Sequence, residues 1–204
     1  MPRYSRIMTS TIITSQPLEA GTPVRHVTRV PSPLGTIEIT SDGAAIIGLS
    51  IESGGPATSA ESAETPGSDD TEISGGAFPQ DDAPDERDAV LENAAAQLAE
   101  YFAGTRREFD LPVVLAGTEF QRAVWEQLRQ VRWGEVTSYG AIGKATGRPM
   151  AGRAVGGAIG ANPVPIIVGC HRVLATGGRI TGYSAGRGVL TKKWLLDHEQ
   201  VPHS

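Results

Sequence analysis

Asn162-Pro163-Val164-Pro165-Ile166-Ile167-Val168-Gly169-Cys170-His171-Arg172-Val173 is the stretch on which the reading of this chain turns. It holds the only cysteine in 204 residues, so no internal disulfide can form. Cys170 ends an apolar run, where a strand should stop, and an imidazole and a guanidinium follow at once. Nearby cations and hydrogen bonds favour the thiolate, which is the nucleophilic form. A single cysteine taken alone is more often a small buried hydrophobe. The surrounding sequence must decide between the two.

Moving outward, Thr118 with Gln121 three residues on has the form of a capping box. It opens a helix whose apolar face is Phe120, Val124, Leu128 and Val131. Ser138 caps a short helix, Tyr139 to Ala145, Gly147-Arg148-Pro149 turns the chain, and Met150 to Ile159 forms the next helix. Two short helices with a glycine-containing turn are a helix-turn-helix pattern, one that many helical hairpins share. A final helix is expected from Val189 to His198.

Toward the N-terminus, Glu86 to Ala103 reads as a helix with Val90, Leu91, Ala94, Leu98, Tyr101 and Phe102 on one face, ended by Gly104. Glu108 to Val114 is a short strand or extended linker. Val24 to Val30, Thr36 to Thr40 and Ala44 to Ile51 read as strands of an antiparallel meander, joined through Pro31-Ser32-Pro33-Leu34-Gly35 and Ser41-Asp42-Gly43. Residues 53–85 are Gly, Ser, Ala, Pro, Thr and acids, with Ile73 and Phe78 as the large apolar exceptions. Such a segment buries too little surface to offset its ordering entropy and is expected to be disordered. The expected plan is a flexible tail over 1–22, an N-terminal α/β domain over 23–112 carrying the acidic insertion 53–85, and a C-terminal domain over 115–204.

Net charge is −5, an odd balance for a partner of nucleic acid. Its distribution changes the picture. Residues 52–92 hold twelve acidic residues and one basic one, Arg87, so the rest of the chain is +6. From Phe120 to Ser204, eleven Lys or Arg stand against four Asp or Glu. That half is suited to phosphates, although solvated surface charge has the same look. No apolar run is long enough to span a bilayer, and Ile7 to Gln16 is too polar for a signal peptide. A free thiol without a second cysteine suits a reducing cytoplasm.

Several words in register carry a family resemblance. Arg153-Ala154-Val155-Gly156-Gly157-Ala158, Asn162-Pro163-Val164-Pro165-Ile166 and Cys170-His171-Arg172-Val173 resemble the active-site region of the O6-alkylguanine-DNA alkyltransferases, the methylated-DNA–protein-cysteine methyltransferases. Phe120-Gln121-Arg122-Ala123-Val124-Trp125 and Gly134-Glu135-Val136-Thr137-Ser138-Tyr139-Gly140 are similar to the opening of that family's DNA-binding domain. Gly182-Tyr183-Ser184 and Lys193-Trp194-Leu195-Leu196-Asp197-His198-Glu199 match its closing segment. The resemblance covers roughly 118–199 and is looser over 24–112. It implies an α+β chain: a small ribonuclease-H-like α/β domain (antiparallel sheet plus helix), then a mostly helical C-terminal domain with a winged-helix-like helix-turn-helix.

The activity implied is stoichiometric transfer of an alkyl group from guanine O6, or thymine O4, in DNA to the protein's own thiol, after the base is flipped out of the stack. Cys170 is then nucleophile and final acceptor. His171 acts as base, reached through a water because adjacent side chains seldom face each other, and Glu199 orients it. Asn162 either caps the preceding helix or orders the Cys loop. Tyr183 hydrogen-bonds the purine and helps protonate the leaving guanine, and the Ser184 amide meets O6. Arg153 fills the gap left by the extruded base, and Tyr139 presses on the target's 3′ phosphate. The small residues Ala151, Gly152 and Gly156 let the second helix approach the minor groove, or else let two helices pack closely. The partner implied is double-stranded DNA containing O6-alkylguanine, met by a monomer, with no cofactor and no metal.

This chain also departs from the family pattern. Gly169 stands where the family has proline, which is expected to loosen the backbone beside the nucleophile. The loop Ala185-Gly186-Arg187-Gly188 is about two residues longer, and the insertion 53–85 has no counterpart. Two other readings use the same residues. One is a non-catalytic alkyltransferase-like helix-turn-helix binder of DNA lesions; relatives of that kind lack the cysteine. The other is a cysteine hydrolase built on Cys170, which needs a histidine facing the thiol from elsewhere; His26, His198 and His203 sit in no such motif.

Overall fold

The computed structural model describes residues 25–52 and 86–203. The expected tail over 1–22 and the insertion over 53–85 lie outside the described residues. Three strands, β1 (His26–Ser32), β2 (Gly35–Ser41) and β3 (Ile46–Ile51), form an antiparallel sheet in the order β1-β2-β3. The register pairs Ile39 with Leu49 and slips between Thr40 and Ser41. That slip explains why β3 begins at Ile46 rather than at the expected Ala44. Asp42 accepts hydrogen bonds from the amides of Ala44 and Ala45, which keeps those residues in the turn. Strand β1 starts at His26, and the expected start at Val24 lies outside the described residues.

Helix α1 (Glu86–Phe102) lies against this sheet. Leu91, Ala94, Leu98 and Tyr101 meet Ile37, Ile39, Ile46 and Leu49 in one core. Residues 108–114 form no strand of their own; Val113 makes an isolated parallel bridge to Ile46 at the fringe of the sheet.

The C-terminal helices form a second core. Helix α2 (Glu119–Arg129) carries the full capping box: Thr118 accepts from the Gln121 amide, and the Gln121 side chain accepts from the Thr118 amide. Its buried face, Val124, Trp125 and Leu128, packs on α3 (Tyr139–Ala145) and α4 (Gly152–Gly160). The Trp125 indole N–H donates to the Ala158 carbonyl at 2.7 Å and pins α4 to α2. Ser138 caps α3 through the Ala141 amide. Helix α4 starts at Gly152 instead of Met150, because Ala151 is its N-cap with non-helical backbone and Met150 lies in the turn after Pro149. Helix α5 (Val189–His198) has the expected bounds.

Two short strands, β4 (Thr137–Ser138) and β5 (Val173–Leu174), pair in parallel. They fasten the start of α3 to the chain just beyond Cys170. Removing the Thr118 hydroxyl frees one backbone donor of α2, the Gln121 amide, and leaves the bond from the Thr118 amide to the Gln121 side chain in place. Thr118→Ala should therefore lower stability by about 1 kcal/mol, read from the midpoint of denaturant unfolding, with the reactivity of Cys170 unchanged.

Candidate active site

The loop 162–169 is held from inside. The Asn162 amide donates to the Val168 carbonyl at 2.9 Å, while its Oδ1 accepts from the Val164 amide at 3.1 Å. Asn162 therefore orders the Cys loop; the cap of α4 is Ala161. Side chains of the loop enter both cores: Val164 and Ile166 join the sheet's, Val168 and Cys170 join the helices'. The Pro163 carbonyl also accepts from the Leu49 amide, tying the loop to β3. Ile166 has φ of +74°, a costly conformation for a β-branched residue, tolerated because the loop is pinned on both sides.

Gly169 is not loose as expected. It is buried, with φ −69° and ψ 55°, and the Cys170 amide closes a three-residue turn onto the Val168 carbonyl at 2.7 Å. That is an inverse γ-turn. A Cβ at Gly169 would stand 2.9 Å from the Arg172 side chain, so the glycine makes room for that guanidinium.

Cys170 starts a single 3₁₀ turn, Cys170–Arg172, and is 3% exposed. Burial pushes the thiol's pKa up, opposed by the Asn162 and Tyr183 side chains and by the charge of Lys192. A buried thiol needs a base to become a thiolate. His171, fully buried, meets Glu199 through Nε2 at 2.9 Å. A carboxylate only accepts, so Nε2 carries the proton and Nδ1 presents a lone pair. Nδ1 is buried and makes no hydrogen bond to any described residue. No direct Cys170–His171 bond forms among the described residues, in keeping with their adjacency.

Glu199 is 1% exposed and saturated with donors. Oε1 receives the Tyr101 hydroxyl at 2.8 Å, His171 Nε2, and Arg172 Nη2 at 2.8 Å; Oε2 receives Arg172 Nε at 2.8 Å. Burial would raise its pKa, but the His171 and Arg172 hydrogen bonds prevail and hold it far below the usual carboxylate range. Burial drives His171 the other way, toward the neutral ring, against the pull of Glu199. Lys192 is buried along α5, donates to the Val173 carbonyl, and is pulled down to about 8 by burial, against the pull of Cys170.

Above the thiol lies a cavity of about 250 Å³ lined by Tyr139, Gly156, Ile159, Gly160, Cys170, Gly182, Tyr183 and Ser184. Five residues singled out from the sequence thus meet at one opening. The Tyr183 hydroxyl is buried beside Cys170 with no hydrogen bond to any described residue, and burial, then the neighbouring Cys170, push its pKa well up. Ser184 Oγ donates to the Gly160 carbonyl at 2.9 Å, and Tyr139 shares a 3.1 Å bond with Thr181, so both rims are fastened. Gly186, with φ +54°, seats the longer loop against Thr191 and Ile51.

Ala151, Gly152 and Arg153 do not line the cavity. They stand on the outer N-terminal end of α4, where Gly152 and Arg153 are exposed. A Cβ at Gly152, Gly157 or Gly160 would meet nothing within 4 Å. These glycines do not serve helix–helix packing. They leave an open backbone face beside the cavity.

The chain matches the description of the 6-O-methylguanine DNA methyltransferase ribonuclease-like domain over residues 26–115, and that of the same family's DNA binding domain over 119–201. The methylated-DNA–protein-cysteine methyltransferase of Methanosarcina acetivorans is 44% identical over 114 residues, 56% of this chain and 72% of that protein. The chain belongs to the 6-O-methylguanine DNA methyltransferase family. The Shigella flexneri relative of the same name is 50% identical over 104 residues, half of this chain and 60% of that protein. Among solved structures, Mycobacterium tuberculosis OGT in complex with DNA is 33% identical, covers 85% of this chain and 92% of its own, and has a TM-score of 0.65. The 6-O-methylguanine DNA methyltransferase domains thus account for both halves of the α+β fold.

Sequence reasoning missed three residues of the site. In the sequence Arg172 stands only as a cation next to the thiol, with no link to Glu199; Tyr101 stands as an apolar position of a helix and Lys192 as one more cation of the C-terminal half. Arg172 alone had a signal, its place in the motif. Acid should destabilise this network. His171, its folded pKa lowered, resists protonation as pH falls below the ordinary 6.5, and Glu199, also lowered, loses its contribution below the ordinary 4.5. Thermal unfolding midpoints should therefore fall from pH 7 to pH 3, and Glu199→Gln should abolish most of the step below about 4.5.

Proposed function

We propose that this protein repairs DNA by moving a methyl or larger alkyl group from guanine O6 to Cys170, once per molecule. The observation that carries the reading is the buried thiol at the floor of the 250 Å³ cavity, with a histidine beside it whose one free nitrogen is a lone pair. His171, oriented by Glu199, takes the thiol proton through a bridging water. The sulfur attacks the alkyl carbon, the C–O6 bond breaks, and the electron pair leaves with guanine. The Tyr183 phenol, kept protonated by its raised pKa, donates a hydrogen bond to the departing base and so stabilises the negative charge that leaves with O6; the proton that guanine finally takes up balances the one His171 removed from the thiol and passes through solvent.

The substrate is O6-alkylguanine in duplex DNA. A buried thiol on the wall of a cavity of about 250 Å³ is reached by a base only out of the stack. The glycine-rich outer face of α4 supports close approach of that helix to the duplex. Arg153 fills the gap left by the flipped base and Tyr139 bears on the neighbouring phosphate, roles supported by the exposure of Arg153 at the start of α4 and by the position of Tyr139 on the cavity wall. The protein acts as a monomer, dividing near residues 112–115 into a sheet domain and a DNA-binding, alkyl-accepting domain. The lesion-binding alternative has no use for a thiol served by a base.

Intact mass after incubation with an O6-methylguanine duplex should rise by one methyl group, located at Cys170 and absent from Cys170→Ala. Binding with no mass change would favour the lesion-binder reading, and reaction with an activated ester instead would favour a hydrolase. Arg153→Ala should slow transfer from duplex by about tenfold or more, since a flipped base costs a few kcal/mol, while transfer from the free base O6-benzylguanine stays near the wild-type rate.

A further inference from the structure

We propose that Tyr101, reaching across from the sheet-bearing half, is a positioning residue of the transfer reaction, setting through Glu199 the imidazole that serves Cys170. The inference rests on the alkyl-transfer reading above. Tyr101 lies in the last turn of α1, 98 residues from Glu199, and is fully buried. Its hydroxyl donates to Glu199 Oε1, the same oxygen that meets His171. Its main-chain carbonyl pairs with His198 Nε2 at 2.8 Å. One residue of α1 therefore grips both 198 and 199, the end of the helix that carries the carboxylate. The ring is wedged edge-on against Trp133 at 5.2 Å and His198 at 5.1 Å, so the hydroxyl has little freedom to point elsewhere.

If packing were the whole of its work, phenylalanine would serve, since a buried hydroxyl must find a partner or cost stability. The partner here is a charge. Burial and the neighbouring Glu199 push the phenol's pKa far up, so Tyr101 donates and never adds a second anion. It is a neutral donor to an oxygen otherwise shared by His171 and Arg172. The groups that bear on His171 are Glu199 and Lys192 from α5, with Arg172 and Cys170 on its own turn; of the charged ones, Glu199 alone favours the protonated ring. Without the Tyr101 hydroxyl, Oε1 has one donor fewer and pulls harder on the imidazole. The ring then holds its proton to higher pH and is less ready to accept the thiol's.

The test is the full chain with Tyr101→Phe, which keeps the ring. Single-turnover transfer from an O6-methylguanine duplex is followed from pH 5 to 9, with the His171 ring titration by ¹⁵N NMR and with affinity for undamaged duplex. A midpoint moved up by about half a unit predicts a rate up to about threefold lower on the acid limb and unchanged at pH 9. The acid limb and the His171 midpoint should both move up by about half a unit or more, with DNA affinity within about twofold. A rate reduced equally at every pH, or an unmoved His171 midpoint, would overturn the proposal and leave Tyr101 a packing residue. Should Tyr101→Phe fail to fold, 3,5-difluorotyrosine at 101, a stronger donor, must move the midpoint down; a midpoint that stays put has the same negative meaning. Wild-type protein that gains no methyl group defeats the alkyl-transfer reading instead, whatever the variants do.

Discussion

A buried carboxylate is the constraint around which this molecule is arranged. Glu199 keeps its charge with 1% exposure, and such a charge is tolerated only when donors replace the lost water. They come from three places in the chain: Tyr101 of α1, His171 beside the nucleophile, and Arg172 one residue on. Arg172 also donates to the Val131 carbonyl at the end of α2. Satisfying one side chain therefore brings together the end of α1, the end of α2, the Cys turn and the end of α5. Removing a single partner from such a pair costs about 3–5 kcal/mol, because the remaining charge stays buried.

The nucleophile gets its place from the same economy of space. Loop 162–169 sends alternate apolar side chains into two cores, and its strained Ile166 is endured because neither core lets go. Gly169 then turns the chain so that Cys170 faces the cavity while Arg172 folds back over the glycine. The thiol is thus presented by packing, with the hydrogen-bonded pair His171–Glu199 directly behind it.

Much of this was legible in the residues, for identifiable reasons. The capping box at Thr118, the Ser138 cap and the Val189–His198 helix depend on local hydrogen bonding and periodicity, which sequence displays directly. Cys170, His171, Tyr183, Ser184 and Glu199 were visible as words of a shared motif. The start of α4 was misplaced by two residues because nothing local distinguishes Met150 and Ala151 from helix. Tyr101 was invisible as a polar group: its spacing on α1 is that of an apolar position, and its partner is fixed only by tertiary structure. Lys192 and Lys193 read alike as cations, yet one is buried and the other exposed, a difference set by how α5 lies on the Cys turn.

The chain has three tryptophans, and two of them, Trp133 and Trp194, flank His198 at the seam between the sheet-bearing half and the helices. Trp194 stacks on that imidazole at 5.0 Å, and Trp133 meets it edge-on at 5.2 Å. Indole emission is quenched by a neighbouring protonated imidazole and changes on contact with solvent. The seam that positions Glu199 thus carries its own optical gauge: any loosening of α1 from α5 is written into the intrinsic fluorescence of the unlabelled protein.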